Sequence, residues 1–537
     1  MNDINFCTRI FEAGRRHPDR LALRIPDIAA PAGTHEDLTY GALLSAVGKQ
    51  QSALKKSGLS CGDRVLLFTP PGISLYVTLL ALLGLGMVPV MVERGMPRNR
   101  LRATLARAHA TAAIGDRAIM KYWWLFPALW KISRFALDGR TLGVRDLRQL
   151  TTSENTTPEC QLLNENSPGL ITFTSGSTGL PKGADRTHGS LIAQHLAIRS
   201  HWPDQDNDID LPVFPVLVLH NLCCGISTIL PDTDLAFPGN VAAPRVLAQI
   251  MRQHVTRIAG SPAYMDRITT YALAQHLIAG HVRSVIIGGS TLTWALAERC
   301  RLVFPHAETR VVYGSTEAEP IADVNIDILI KDWHQHAGHL VGHPTEMATV
   351  CIVATDSPLL TEDDVTQAQI LNGTEGEVLV SGPHVLKAYV ENPEATRETK
   401  ISRSNGSVWH RTGDTGFFDN QGRLWLTGRI KDRIRARGKV LSPFAVEKEL
   451  DALPGIERSA LIDDADGPVL VIKGQFSQDA KIIPILRRHT LDSTRIAYVH
   501  SMPVDARHNS KIDRPRLREW LKSGRLRLQA IDSGKHA

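Results

Sequence analysis

The chain of 537 residues is 43% hydrophobic and 22% charged, a balance that excludes a disordered or low-complexity protein. At roughly 150 residues per domain it holds three or four structural units, too many for one core. A formal net charge of +6 permits attraction to anionic nucleotides or lipid head groups but gives no ground for nucleic-acid binding, so no nucleic acid partner is expected.

The seven cysteines are odd in number and form no Cys-x-x-Cys pair. Zinc and redox motifs of that type are therefore absent, and reduced thiols in a cytoplasmic protein are the simplest reading. The segment Met1-Asn-Asp-Ile-Asn-Phe6 lacks the basic-then-apolar layout of a signal peptide. From Pro18 to Pro168 helical patterns alternate with short apolar strands, such as 64–68 and 111–114, the rhythm of an α/β region with a largely parallel sheet. Residues 73–92 are apolar over the ~20 positions that a membrane span needs. The stretch holds Gly84, Gly86 and Pro89 and runs into Glu93 and Arg94, so helix, glycine turn and short buried strand is the expectation. Residues 121–135 set Trp123, Trp124 and Trp130 among Lys121, Lys131 and Arg134. Such interleaving suits a membrane interface or the mouth of an apolar tunnel; the plainer expectation is an aromatic helix packed on the main domain.

The run 169–173 reads as a buried strand leading into Thr174-Ser-Gly-Ser-Thr-Gly-Leu-Pro-Lys-Gly183. Glycines supply unusual backbone angles, hydroxyls and N–H groups supply donors, and Lys182 adds a fixed charge: a loop built for anionic oxygens. The usual nucleotide loop has Gly before its Lys and Ser or Thr after. Here Pro181 precedes Lys182 and Gly183 follows, so the loop is of another kind. A Ser/Gly linker is the alternative, but linkers seldom follow a buried strand with a Pro-Lys-Gly exit. Residues 211–225 are apolar, with Pro215 after Phe214 and no carboxylate. The α/β rhythm resumes at 257–260, 284–288 and 309–313. Tyr313-Gly-Ser-Thr-Glu317 ends a predicted strand, where ligands of open α/β sheets collect; the alternative is a helix start with an ordinary first-turn Glu. From about His339 to Trp425, short strands such as 347–353 and 377–380 between Gly, Pro and Asn suggest a β-rich unit. Arg411-Thr-Gly-Asp-Thr-Gly416 and Gly422-Arg-Leu-Trp-Leu-Thr-Gly-Arg429 read by themselves as a hairpin with a charged pair. Ser442-Pro443 is a good helix start in a last unit that opens near Ile430.

The 174–183 loop resembles the phosphate-binding loop of the adenylate-forming superfamily: acyl-CoA synthetases, luciferases and peptide-synthetase adenylation domains. The segments 313–317, 411–429 and Pro503-Val-Asp-Ala-Arg-His-Asn-Ser-Lys511-Ile-Asp513 are three further matches. The resemblance implies an α/β (mixed α+β) fold. A large N-terminal domain, 1–429, would hold two α/β subdomains and a β-rich one; a small mobile α+β domain, 430–537, would follow. It also implies ATP and Mg2+. Thr174, Ser175, Gly176, Ser177, Thr178 and Gly179, with Gly289, Gly314 and Ser315, would surround the nucleotide. Tyr313 would wall the adenine, Thr316 would offer a hydroxyl to phosphate, and Glu317 would hold the magnesium, which favours one or two carboxylates plus phosphate oxygens. Asp414 would accept from both ribose hydroxyls, with Arg429 on ribose or phosphate. Lys431 would be the hinge, and Gly438 would let a pantetheine arm pass where CoA or phosphopantetheine is used. Lys511 would reach the reacting carboxylate and α-phosphate, making Lys182, Thr316, Glu317 and Lys511 the catalytic set. Phe214, His220 and Gly288 would line the substrate pocket.

Together these positions describe activation of a small-molecule carboxylic acid: the carboxylate attacks the α-phosphate, pyrophosphate leaves, and an acyl-adenylate forms. Peptide-synthetase relatives bind the substrate amine with an Asp after an aromatic residue. Pro215 stands there instead, which points away from amino acids and toward an acyl chain. The 211–225 stretch and the 505–512 ending look more like olefin-pathway β-lactone synthetases, in which the substrate's own hydroxyl is the acceptor and CoA is not needed. Residues 313–320 and 121–135 depart from that subgroup's pattern. A fatty acyl ligase loading CoA or an acyl carrier protein is the alternative. A non-catalytic nucleotide- or acyl-binding relative is the alternative of another class, opposed by the presence of Lys182, Glu317, Asp414 and Lys511. The expected location is cytoplasmic, with peripheral contact at the inner membrane face through 121–135.

Overall fold

The alternating apolar runs form the parallel sheets that their spacing predicts, in a computed structural model that describes residues 4–92, 96–151, 156–174, 181–235, 240–436, 438–474, 479–505 and 511–530. Among the described residues the strands assemble into sheets of fourteen, eight, four and two strands. The eight-stranded sheet has a parallel centre of Val88–Met91, Arg64–Phe68, Ala112–Gly115 and Ser133–Ala136. Pro168–Thr174 extends it in parallel and pairs antiparallel with Lys182–Thr187. Parallel strands need cover on both faces, and the helix Ile73–Gly84 supplies part of it with Leu75 through Gly84 all buried. The apolar 73–92 run is thus core, a helix followed after Gly86 by a short strand. No helix of the described residues is long and apolar enough to cross a membrane.

The fourteen-stranded sheet has a parallel centre of Ile209–Pro212, Arg257–Gly260, Ser284–Gly288 and Glu308–Ser315. It then turns antiparallel through Ala318–Asn325, His339–Pro344, Leu424–Arg429 and Val408–Phe418. The β-rich stretch is therefore one hydrogen-bonded ladder with the second α/β sheet, and its fully buried Trp425 packs in the same core as Tyr264 and Ile287. The strand Leu21–Pro26 also joins this sheet, in parallel with Ser227–Ile229.

A helix Pro443–Asp451 and a four-stranded sheet of Ile456–Ile462, Val469–Gly474, Arg495–Val499 and Leu528–Ala530 enclose a core with Leu461, Ile472 and Leu486. Ser442 precedes the helix as expected, yet its hydroxyl makes no cap and donates to Glu375 Oε1 at 2.8 Å. Lys448 Nζ donates to the Gly338 carbonyl at 2.6 Å and Arg458 to Thr291 Oγ1 at 2.8 Å, holding this unit against the large sheet.

The 121–135 segment corrects the expectation of an aromatic helix. It forms two short 3-10 turns, Trp123–Leu125 and Pro127–Leu129, before the strand Ser133–Ala136. Pro127 cannot continue a helix across its own position. Arg134 does not face outward; its guanidinium donates to the carbonyls of Leu129, Trp130 and Ile132 and satisfies the turns. Trp124 and Trp130 are left 58% and 56% exposed.

Candidate active site

Two antiparallel pairings gather the polar residues. The strands Glu308–Ser315 and Ala318–Asn325 form a hairpin with Thr316 and Glu317 at its turn. A Cβ on Gly314 would come within 3.1 Å of the Glu319 side chain, a close approach that glycine eases. In the second pairing Asp414 stands directly opposite Arg429. Tyr313 Oη donates to Asp414 Oδ2 at 2.7 Å, and Arg429 Nε lies 3.0 Å from Asp414 Oδ1. Both carboxylate oxygens are engaged. Burial and the Asp414 charge push the Tyr313 phenol well up, so it stays a donor. The Asp414 charge raises the Arg429 pKa in turn.

A second network surrounds Glu317. Tyr389 Oη donates to Glu317 Oε1 at 2.6 Å. Loss of water works to raise the Glu317 pKa, but His410, the Tyr389 hydroxyl and Lys400 outweigh it and hold the carboxyl at about 2. Lys182 and Lys400 place their ammonium groups 5.2 Å and 5.7 Å from the Tyr389 ring centre, a cation–π arrangement. Burial lowers the Lys400 pKa to about 7 against the pull of Glu317, with Lys182 adding to the fall. Among the described residues the Lys400 ammonium and the Ser315 hydroxyl are buried without hydrogen-bond partners. Buried orphans are costly, and a phosphate would satisfy both kinds of donor. Arg186 ties this network to the loop strand, donating to Thr172 Oγ1 at 2.6 Å and to the Thr316 carbonyl at 2.9 Å.

Sequence reasoning missed Tyr389, Lys400, His410 and Arg186. Of the phosphate loop, Thr174 and Lys182 face each other in register across the antiparallel pair. Ser175, Gly176, Ser177, Thr178 and Gly179 lie outside the described residues. Lys431 sits in a short turn, Ile430–Asp432, just after Arg429. Lys511 is exposed on the C-terminal unit, where its N–H donates to Asp505 Oδ1 at 2.9 Å.

An apolar cavity opens beside the hairpin, lined by Ile198, Trp202, Phe214, Leu217, Gly288 and Val312. Gly289, next in the chain, has a φ of +95°. Polar groups also reach the cavity: His201 Nδ1 lies 3.0 Å from Asp323 Oδ2, and Arg310 pairs with Asp323 Oδ1 at 2.7 Å. Phe214 and Gly288, two of the expected pocket residues, line this cavity. His220 is not among the lining residues; it is buried in helix packing against His195 and Cys224.

Residues 10–390 match the family of AMP-binding enzymes. An olefin β-lactone synthetase of Stenotrophomonas maltophilia (strain K279a) is 31% identical over 96% of this chain and 98% of its own length. A feruloyl-CoA synthase of Amycolatopsis sp is 28% identical over 84% of this chain and 85% of its own. Among solved structures, the amide bond synthetase McbA from Marinactinospora thermotolerans has the same fold, with a TM-score of 0.80 at 22% identity over 96% of this chain and 99% of that one. ATP-bound MatB from Rhodopseudomonas palustris gives 0.79 at 21%, over 97% and 99%. The match covers the eight-stranded sheet, most of the fourteen-stranded sheet and the Glu317 hairpin, and the relatives extend it through the C-terminal unit: the chain belongs to the AMP-binding, adenylate-forming enzymes.

Proposed function

We propose that this protein activates a β-hydroxy fatty acid with ATP and closes the acyl-adenylate onto its own hydroxyl, giving a β-lactone and AMP. The observation that carries this reading is the end-to-end similarity to olefin β-lactone synthetases. The apolar cavity beside the Glu317 hairpin supports it by offering an acyl chain a dry place next to the charged groups.

Lys182 and Lys400 face the β- and γ-phosphates and stabilise the charge that moves onto pyrophosphate as the substrate carboxylate attacks the α-phosphate. Glu317 fits a magnesium site: it is a hard oxygen donor held ionised at neutral pH. Magnesium held by Glu317 would supply positive charge to offset that of the phosphates. Asp414, fixed by Tyr313 and Arg429, receives the ribose hydroxyls. The domain 430–537 swings about Lys431 and brings Lys511 to the reacting carboxylate and α-phosphate. In the second step the β-hydroxyl oxygen bonds to the acyl carbon, the acyl–phosphate bond breaks, the hydroxyl proton is lost and AMP leaves.

A second reading is an acyl ligase for CoA or a carrier protein. It is favoured by Gly438, whose φ is +76° and whose α-carbon faces open space, as a passing pantetheine arm would need. Incubation with ATP, magnesium and a 2-alkyl-3-hydroxy fatty acid, without CoA, separates the two. Mass spectrometry should find AMP and a product one water lighter than the acid; no product until CoA or carrier protein is added would move the assignment to a ligase.

The exposed Tyr122, Trp124 and Trp130 beside Lys121 and Lys131 lie at an anionic membrane surface when the enzyme collects its acyl substrate. Changing Trp124 and Trp130 to Ser should lower cosedimentation with anionic liposomes and leave stability within about 0.5 kcal/mol, as for other surface positions. Equal cosedimentation would remove this contact.

A further inference from the structure

Three side chains of metal-binding type meet between two helices that also wall the apolar cavity. The helix Pro215–Cys224 carries His220 and Cys224 four residues apart, so both lie on one face. His195 comes from the helix His188–His201. His195 Nδ1 and His220 Nδ1 are 3.0 Å apart, and Cys224 Sγ is 3.7 Å from His220 Nε2. One ligand atom from each residue lies within 4.8 Å of the others. Both imidazoles are buried and the thiol is half-buried. The two short distances use opposite nitrogens of the His220 ring, so one ion would take a single His220 nitrogen, and side-chain rotation would contract the set from its spread of up to 4.8 Å to a zinc tetrahedron with nitrogen at about 2.0 Å and sulfur at about 2.3 Å.

We propose that His195, His220 and Cys224 form a structural site for a divalent transition metal of the zinc class, with the Asp204 carboxylate closing the fourth position. Asp204 is near enough to raise the Cys224 pKa, and its Oδ1 lies 3.2 Å from Arg199 Nε. Two imidazoles and a thiolate select a borderline-soft ion over magnesium or calcium. The charge balance closes: thiolate and carboxylate together neutralise a doubly charged ion. The cations that face the pair are Arg9, Arg199 and Arg257. Arg199 is paired with Asp204, and Arg257 lies 3.5 Å from Asp208 and 4.0 Å from Asp210.

The protonation states agree with this geometry. Burial lowers the His195 pKa to about 4 and pushes His220 well down, so both rings are neutral with a lone pair available. Burial pushes the Cys224 thiol up to about 12, so the metal itself would displace its proton. Ile198 and His201 of one helix and Val216 and Leu217 of the other line the cavity, so the ion would pin its two walls together. That consequence for acyl binding rests on the proposed function; the metal site does not.

The test uses the full chain, stripped with a chelator and titrated with Co2+ and then Zn2+. The site predicts one Co2+ per chain with the visible bands of tetrahedral cobalt and a near-ultraviolet sulfur charge-transfer band. It also predicts release of one proton per ion, displacement by Zn2+, and a higher melting temperature with Zn2+. Cys224→Ser should abolish the sulfur band and weaken binding at least ~100-fold, beyond the ~10–100-fold that loss of an outer-shell partner costs. His195→Gln, checked for folding by circular dichroism, should weaken binding similarly. No stoichiometric binding would overturn the proposal. So would a sulfur band that survives Cys224→Ser and disappears with the exposed Cys61 in Cys61→Ser.

Discussion

The nucleotide end of the site and its acyl end are built on different physics. At the nucleotide end, Tyr313, Asp414, Arg429, Glu317 and Tyr389 form short charge-assisted contacts, while the Lys400 ammonium and the Ser315 hydroxyl have no hydrogen-bond partner among the described residues. At the acyl end, the walls are mostly apolar, and the His201, Arg310 and Asp323 groups that reach the cavity are paired with one another. In the proposed mechanism the first arrangement serves adenylation, which all adenylate-forming enzymes share, and the second the choice of acid. A family match therefore fixes the first half-reaction more firmly than the product.

Substitutions at the two ends should separate these roles. The largest effect is expected at Lys511. Lys511→Ala should lower ATP–pyrophosphate exchange by about 10²–10³-fold, the usual loss for a group that stabilises transition-state charge. Its melting curve should be unchanged because Lys511 is exposed. An unchanged exchange rate would take Lys511 out of the mechanism. Asp414→Asn should raise KM for ATP by roughly ten- to a hundredfold, since a hydrogen bond to a charged group is worth about 1.5–3 kcal/mol. Its KM for the acid should hardly move; a change confined to the acid would contradict the division between the two ends. Gly288→Leu should do the opposite. It fills cavity space and should cost long-chain acids about tenfold in kcat/KM, near the ~1–3 kcal/mol that a mismatched methylene costs, while leaving KM for ATP alone.

The last effect is on stability alone, a pH slope. The folded-state pKa of Lys400 is about 7, well below the ordinary lysine value. Between about pH 7 and about pH 10.4 the unfolded chain binds a proton that the folded chain does not, so stability rises with pH across that window. Lys400→Met should flatten this slope and stabilise the protein most below pH 7, with the gain vanishing near pH 10. Parallel melting curves for the two proteins from pH 7 to 10 would contradict a lysine whose pKa burial has lowered.

The same contrast explains what could be read from the sequence. Tyr313, Glu317, Asp414 and Arg429 sit in short segments with glycine and hydroxyl neighbours, and the backbone pairing that joins those segments leaves a local signature. Lys400, Tyr389 and His410 reach Glu317 from a region more than seventy residues away with no such signature, because burial is created by the fold and not by neighbours in sequence. The His195–His220–Cys224 cluster escapes a search for Cys-x-x-Cys for a related reason: its ligands come from two packed helices. The 73–92 run was readable because Gly84, Gly86 and Pro89 punctuate it. The 121–135 run was not, since an Arg134 that satisfies carbonyls inside its own segment looks in sequence like a surface cation.

The central claim is that one end activates the acid and the hydroxyl of the substrate then ends the reaction. The direct test compares a 3-hydroxy fatty acid with its 3-deoxy analogue, with ATP and magnesium and without CoA, following pyrophosphate exchange and AMP release together. Both acids should support exchange, and only the hydroxy acid should release AMP over many turnovers, the deoxy acid stalling as bound acyl-adenylate. Equal AMP release from both acids, or release from neither until CoA is added, would contradict it.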